Sequence, residues 1–347
     1  MRDGFDAGVL HASRAHGERS TVSEFEKLVR VSRLYYELGE TQGAIAELLG
    51  VTRPQVSRLL KEARAEGIVE IRVVDRNEAE SPAAAELVRR FGLRAVHLAP
   101  SISGPEGLTR RMIGRLAAQV FGATVRDRSI VGIGDGAFVS ATADAMVDAG
   151  TPVSATIVPL CGGYWFTGPG REPFRRIADA LRSSVHGLMA PGVVDDPATK
   201  ASLYAHAGIR AVMALWERLD IALFGIGSPA WGESSFGPDI FRQLAASGAV
   251  GEVLIAPFDL DGHFGADDLR ARTIAFDARD LVRVPMTIGV AGGPSKVRPI
   301  LGALRAGVVK VLVTDVRTAE AVIDLEAETS PSGTTRRVKS AAAPLAR

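Results

Sequence analysis

A single cysteine, Cys161, stands among 347 residues, so no disulfide within the chain can hold the fold together. There is no apolar stretch of about 20 residues, the length needed to span a bilayer. The opening, MRDGFDAGVLHASRAHGERS, lacks the apolar centre of a secretory signal and reads as a polar tail, which makes the cytoplasm the expected compartment. Net charge is almost absent at +1, so any contact with nucleic acid must come from a local basic patch. No internal repeat recurs at a fixed period. The remainder is ordinary globular material, 46% hydrophobic and 23% charged. The length exceeds a usual domain of about 100–200 residues and predicts two unequal folded units.

Residues 1–22 and 328–347 are rich in Ser, Gly, Pro and charge without apolar periodicity, and both are expected to be disordered tails. From Glu24 to Gly67 the pattern is helical. Leu28, Val31, Leu34, Tyr35 and Leu38 recur at helix spacing, followed by Ile45, Leu48 and Leu49 and then by Val56, Leu59, Leu60 and Ala63. Tyr35 and Tyr36 read as packing groups of the first helix. Val69 to Val74 alternates as a strand would, and the charged run Asp75 to Ser81 suits a linker, placing a small all-α domain at 23–75.

Over 76–327 short apolar runs alternate with amphipathic helical stretches. The runs are Arg94–Leu98, Ser129–Ile133, Ala155–Leu160, Ile221–Phe224, Val253–Ile255, Met286–Val290 and Val309–Val313. Nearly continuous Val/Ile/Leu runs separated by helices indicate parallel strands covered on both faces. The expected fold is therefore a helix-turn-helix domain followed by an α/β domain with a doubly wound parallel sheet.

The segment TQGAIAELLGVTRPQVSRLLKEARAEGIV, Thr41 to Val69, carries the sharpest local signal. Thr41 is placed to cap one helix, Gly50 to end it in a left-handed conformation, and Thr52 to cap the next, with Pro54 in its first turn. Small Ala46 lets the two helices approach closely. Val56, Leu59, Leu60 and Ala63 turn one face of the second helix inward. On the other face Arg53, Arg58, Lys61 and Arg64 stand against Glu62 alone, a local net charge of +3 that suits phosphate neutralisation. The first residues of such a helix reach base edges in a major groove, so Thr52, Arg53, Gln55 and Arg58, flanked by Ser57 and Lys61, are the candidate contacts to DNA. Gln55 has a second reading: Thr52-x-x-Gln55 matches a capping box, in which the amide turns back to the backbone.

In an open parallel sheet, ligands sit beyond the carboxyl ends of the strands. Five loops qualify by composition: Gly132–Gly136, Cys161–Gly163, Gly225–Ser228, Phe258–His263 and Gly292–Lys296. Gly132-x-Gly134-x-Gly136 is not the glycine triplet of a dinucleotide fold, and no cofactor is expected. Gly292-Gly293 with Lys296 at the start of an amphipathic helix is either an element for anions and hydroxyls or a tight turn with a solvated lysine. Asp259, Asp261 and His263 are candidates for acid–base work or for hydrogen bonds to a sugar, and their spacing selects no metal. Thr314-Asp315 reads most simply as the cap of the last helix.

Taken together these segments resemble the SorC family of sugar-binding bacterial transcriptional regulators over most of residues 25–325. The resemblance rests on the helix-turn-helix at Thr41–Val69, the glycine loop after an early strand, the D-x-D-G turn at Asp259–Gly262 and the ending AGGPSKVRPILGALRAGVVKVLVTDVRTAEAV. It implies a second domain similar to sugar-phosphate isomerases that binds an effector without catalysis, together with operator DNA and a homo-oligomer, dimer or tetramer. Its implied effector residues are Gly134, Asp135, Gly136, Gly163, Asp261, Gly262, Gly293 and Lys296; His263 and Arg171 join them by position. The effector is a sugar, a polyol or a sugar phosphate. This chain departs from phosphate-binding relatives in having Asp135 and Gly136-Ala137-Phe138-Val139 where hydroxyl residues are common, and a carboxylate at that mouth repels a dianion. Ser140 or Thr142 is left to supply a hydroxyl. The enzymatic alternative is a sugar isomerase or dehydrogenase with an accessory helical domain.

Overall fold

The computed structural model describes residues 24–69, 81–101, 105–146, 152–163, 172–228 and 248–330. The expected tail 1–22, the strand expected through Val74, most of the expected linker, Arg171 and the tail beyond Ser330 lie outside them. The chain divides into two compact units, Met1–Val74 and Asp75–Arg347, and each is described by itself.

In the first unit, α1 (Glu24–Ser32) runs on through a wider turn at Arg33–Glu37, where Leu38 N–H reaches back five residues to the Arg33 carbonyl at 3.1 Å. Next come α2 (Gln42–Leu49) and α3 (Arg53–Ala65). Their small core consists of Val31, Ile45, Ala46, Val56 and Leu60, all buried. Two expectations fail here, the first being Leu38, which lies just past the last turn at Glu37 and is 69% exposed. Leu48 is 62% exposed, and Ala46 takes the inward position beside Ile45. The buried stripe runs through Ile45, Ala46 and, one turn on, the half-buried Leu49, which leaves Leu48 on its solvent edge.

The second unit opens with α4 (Pro82–Phe91), β1 (Ala95–Ala99), α5 (Glu106–Thr124), β2 (Ile130–Ile133), α6 (Ala137–Met146) and β3 (Thr156–Pro159). It continues with α7 (Pro173–Leu181), β4 (Ser184–Val185), α8 (Pro197–Ala205), α9 (Ala207–Trp216) and β5 (Ile221–Gly225). The hairpin strands β6 (Gly251–Val253) and β7 (Ala256–Phe258) precede α10 (Asp267–Arg270) and β8 (Met286–Val290). Then follow α11 (Val297–Arg305), β9 (Val311–Asp315) and α12 (Val316–Thr329). Seven strands form one sheet in the order β1-β9-β8-β5-β2-β3-β4, every pair parallel.

Alternation along the strands sorts side chains to two cores. Val131, Ile133, Ile221, Leu223, Ile288, Val290, Val311 and Val313 face one. Val158, Ala222, Phe224 and Leu312 face the other. Both faces are thus dry, as a doubly wound sheet requires. α5 and α6 approach so closely that a Cβ on Gly114 would lie 2.7 Å from the Ala141 carbonyl carbon.

Two strand expectations need correction. Val253–Ile255 is no strand of the main sheet: Val253 ends β6, while Leu254 and Ile255 form the turn into antiparallel β7. The two-residue edge strand β4 is too short to leave a periodic signal. α12 also runs through Thr329, two residues into the tail expected from 328. Among the described residues, no helix is long and apolar enough to cross a membrane.

Candidate functional site: a capped basic helix and a crevice at the switch point

In the first unit the local caps form as read. Thr41 Oγ1 accepts from Ala44 N–H at 3.2 Å, and Gly50 ends α2 at φ +64°. Thr52 caps α3 in a full capping box: its hydroxyl accepts from Gln55 N–H at 3.4 Å, and Gln55 Oε1 accepts from Thr52 N–H at 2.8 Å. Of the two readings of Gln55, the structure places its carbonyl oxygen in the cap. Arg53, Ser57, Arg58 and Lys61 lie exposed along α3, opposite Val56, Leu60 and Ala63. Arg64 folds back to donate to the Leu60 carbonyl at 3.3 Å.

In the second unit the chain order steps outward from β2 to β3 on one side and from β5 to β8 on the other. The switch point therefore falls between β2 and β5, and the crevice beyond their carboxyl ends is where an open α/β sheet receives a ligand. Gly134, Asp135 and Gly136 follow β2 there, and Gly136 sits at φ +118°, a conformation that favours glycine. Gly225–Ser228 follows β5, and the loop Gly292–Lys296 follows β8, its neighbour in the sheet.

This last loop is built as a rigid support. Gly293 N–H donates to Asp315 Oδ2 at 3.0 Å and to Thr318 Oγ1 at 2.8 Å. Asp315 Oδ1 also accepts from Thr318 N–H at 3.1 Å, the helix cap expected for α12. Lys296 is 2% exposed, so it is not the solvated lysine of a plain turn. Burial lowers its amine to about 8, against the opposing pull of Glu252 and Glu106.

Glu252, on β6, was not legible as a site residue. Its carboxylate lies over Gly227, where a Cβ would come within 1.8 Å of Oε1, and it accepts from Ile255 N–H at 2.9 Å. Burial pushes the Glu252 carboxyl up, the Ile255 N–H and Lys296 pull it down, and Asp135 adds to the rise. Asp135 is itself raised by burial, with Gly136 N–H and Arg176 opposing. The crevice thus gathers one buried ammonium and two partly buried carboxyl groups around glycine loops. Ser140 lies beside it, its hydroxyl accepting from Arg176 Nη2 at 2.7 Å. Thr142, the other hydroxyl considered, is fully buried and donates to the Phe138 carbonyl at 2.8 Å.

Gly163 follows β3 and donates its N–H to the Ala190 carbonyl at 2.6 Å, at the margin of the same end of the sheet. Asp261, Gly262 and His263 do not join the crevice. A Cβ on Gly262 would lie 2.3 Å from Ala306 N, at the far end of α11 from Lys296, and that helix of nine residues spans about 13 Å. Asp259 organises this turn. Its Oδ1 accepts from Asp261 N–H at 3.0 Å and His263 N–H at 2.9 Å, while Asp261 meets Arg305 at 3.4 Å. Asp259, Asp261 and His263 do bring ligand atoms within 4.8 Å of one another, on an exposed turn.

Comparison with known proteins matches residues 75–324 to the family described as "Putative sugar-binding domain" and residues 21–80 to the Crp-like helix-turn-helix domain. The chain is 28% identical to the sorbitol operon regulator of Klebsiella pneumoniae over 306 residues, 85% of this chain and 97% of that one. It is 29% identical to the deoxyribonucleoside regulator of Bacillus subtilis over 303 residues, 85% of this chain and 96% of that one. The crystal structure of the full-length Klebsiella regulator superposes with a TM-score of 0.70 at 26% identity, covering 87% of this chain and 99% of that one. With a sugar-binding domain over most of its length, a helix-turn-helix before it and full-length likeness to the sorbitol regulator, this chain belongs to the SorC family of sugar-binding transcriptional regulators.

Proposed function

We propose that the helical unit, 23–75, binds operator DNA through α3, and that the unit at 76–327 binds a small hydroxylated effector in the switch-point crevice. The protein then controls a carbohydrate or polyol catabolic operon from the cytoplasm, as a homodimer or homotetramer and without catalysis. Arg53 and Arg58 read base edges, Ser57 and Lys61 contact flanking groups or phosphates, and Thr52 with Gln55 holds the start of the helix rigid. The observation that carries this reading is the exposed cationic face of α3, fixed by its capping box.

In the crevice, Lys296, Glu252 and Asp135 with the backbone of Gly134, Gly136 and Gly293 suit hydroxyl groups, which both donate and accept. Two carboxyl groups beside one ammonium disfavour a phosphate dianion, so the effector is an uncharged polyol or sugar. The similar proteins are named a sorbitol operon regulator and a deoxyribonucleoside regulator, and both names refer to hydroxyl-bearing compounds. Asp259, Asp261 and His263, the motive for an enzymatic reading, lie away from these groups, which supports a binding role.

Fluorescence anisotropy with the DNA upstream of this protein's own gene tests the proposal. Salt-dependent binding that is released by a polyol or hexose supports it. A stronger response to the corresponding phosphate ester overturns the choice of effector, and no binding to that DNA in the wild type overturns the operator assignment.

A further inference from the structure

A second cleft, of about 740 Å³, opens in the second unit, within the range of small-molecule pockets. Four aromatic residues line it together with aliphatic ones such as Met213, Leu219 and Val284. Trp216 and Phe276 meet edge to face at 6.3 Å, and Tyr204 and Phe264 line the same cleft.

The charges at its edge are almost all answered internally. Arg270 meets Asp277 at 3.0 Å, Arg279 meets Asp267 at 3.3 Å and Arg283 meets Asp280 at 3.1 Å. Lys200 differs. Its Nζ donates to the Arg270 carbonyl at 2.9 Å and lies 5.2 Å from the Tyr204 ring centre, and among the described residues no carboxylate lies within ion-pair distance of it. Burial lowers its amine, Arg270 adds to that, and Asp277 opposes. An ammonium above an aromatic floor, short of an anion, is complementary to a flat apolar molecule bearing one carboxylate.

The cleft also touches the crevice through one turn. Leu254 and Ile255, both of which line it, sit at φ +53° and +67°. Two-residue hairpin turns of this shape usually take Asn and Gly, and a β-branched residue there is strained. On its other side the same turn holds the effector groups: Ile255 N–H donates to Glu252, and a Cβ on Gly134 would lie 3.0 Å from Leu254 Cδ2.

We propose that this cleft is a second ligand site, for a small planar aromatic carboxylate paired with Lys200, and that its occupancy is transmitted to the switch-point crevice through the Leu254–Ile255 turn. The site stands independently of the DNA-binding reading.

Calorimetric titration of the full-length protein with 2-naphthoate and with neutral 2-naphthalenemethanol tests the ligand class. Saturable naphthoate binding is expected, weakened at least tenfold by Lys200→Met while the alcohol's affinity changes less than twofold. Tyr204→Leu is expected to weaken both probes. No saturable naphthoate binding, or equal losses of both probes in Lys200→Met, overturns the site. Naphthoate affinity that rises as the protein dissociates on dilution assigns the cleft to a contact between copies and also overturns it. Hydrogen exchange tests the transmission: slowed exchange in 250–258 and 133–140 on naphthoate binding supports it, and protection confined to 197–216 and 264–284 overturns it.

Discussion

Gly293 N–H is held between Asp315 Oδ2, at 3.0 Å, and Thr318 Oγ1, at 2.8 Å, so the loop carrying Lys296 is fastened to the first turn of α12. Asp315 serves both structures, since it also caps that helix. Replacing it with Ala removes the cap and one acceptor of the loop, at an expected cost of about 2 kcal/mol in stability. Asn keeps the size but turns an amide donor toward groups that already donate, so it rescues only part of the loss. Urea denaturation of the two variants measures this; equal stability of Asp315→Ala and wild type removes the anchoring role.

Lys296 gives the second unit a pH signature. Its amine is lowered from 10.5 to about 8 because burial penalises the charge. Below pH 8 both folded and unfolded chains carry the proton and the folded state bears the penalty. Between 8 and 10.5 the unfolded chain binds a proton that the folded chain has lost, so this contribution makes stability rise with pH. Lys296→Met removes the buried charge and is expected to be more stable than wild type by about 1–3 kcal/mol at pH 7, a gain that shrinks as pH passes from 8 to 10.5. The same variant loses its effector response while keeping operator affinity. Denaturation at several pH values and anisotropy with effector check the two halves; a stability gap that does not change with pH excludes the buried charge as its cause.

What the sequence disclosed was mostly local. Thr41, Gly50 and Thr52 act through hydrogen bonds to residues within a few positions, so spacing alone located both helices of the helix-turn-helix. The apolar runs of the parallel strands were legible for a similar reason, because dryness on both faces removes polar residues from the run itself. Glu252 was not, since it acquires its meaning from Gly227 and Lys296, which only the folded chain brings to it. Asp261 and His263 show the opposite case, since the turn that holds them lies at the other end of α11 from Lys296. A loop of Asp, Gly and His has the composition of a site, but its composition does not say at which end of α11 it lies.

Gln55 separates stability from recognition. Its side chain completes the capping box with Thr52. Gln55→Ala is expected to cost about 1 kcal/mol by losing the box. Gln55→Glu preserves the box and adds a favourable negative charge at the helix start, so stability is kept or slightly raised. Operator binding should nevertheless fall in Gln55→Glu if the start of α3 lies against DNA, because a carboxylate there repels phosphates. Thermal melts and anisotropy together check this; a Glu variant that binds as tightly as wild type places Gln55 outside the DNA interface.

Arg58 is exposed on α3 and carries the sharpest prediction for recognition. If it holds a guanine edge, Arg58→Ala loses about 1–3 kcal/mol of operator affinity and discriminates less at one base position. If Lys61 contacts a phosphate, Lys61→Ala weakens binding to all sequences alike and lowers the salt slope by about 1. Anisotropy over a salt series with operator and scrambled DNA distinguishes the two, and identical behaviour of both variants rejects the division of roles.

The Asp259–His263 turn yields a prediction of no effect that is as informative as a loss. Asp261 reaches Arg305, but Arg305 is held independently by Glu326 at 2.7 Å, so truncating Asp261 leaves no unpaired buried cation. His263 is exposed and its ring meets Asp259 at 3.3 Å, a surface pair worth less than about 1 kcal/mol. Asp261→Ala and His263→Ala should therefore leave effector affinity within twofold of wild type, whereas Glu252→Gln in the crevice lowers it at least tenfold. Glu252→Gln keeps an acceptor for Ile255 N–H, which limits its effect on folding. Titration of effector into each variant decides between the two ends of α11: a tenfold loss in Asp261→Ala with none in Glu252→Gln moves the effector site from the switch point to the turn.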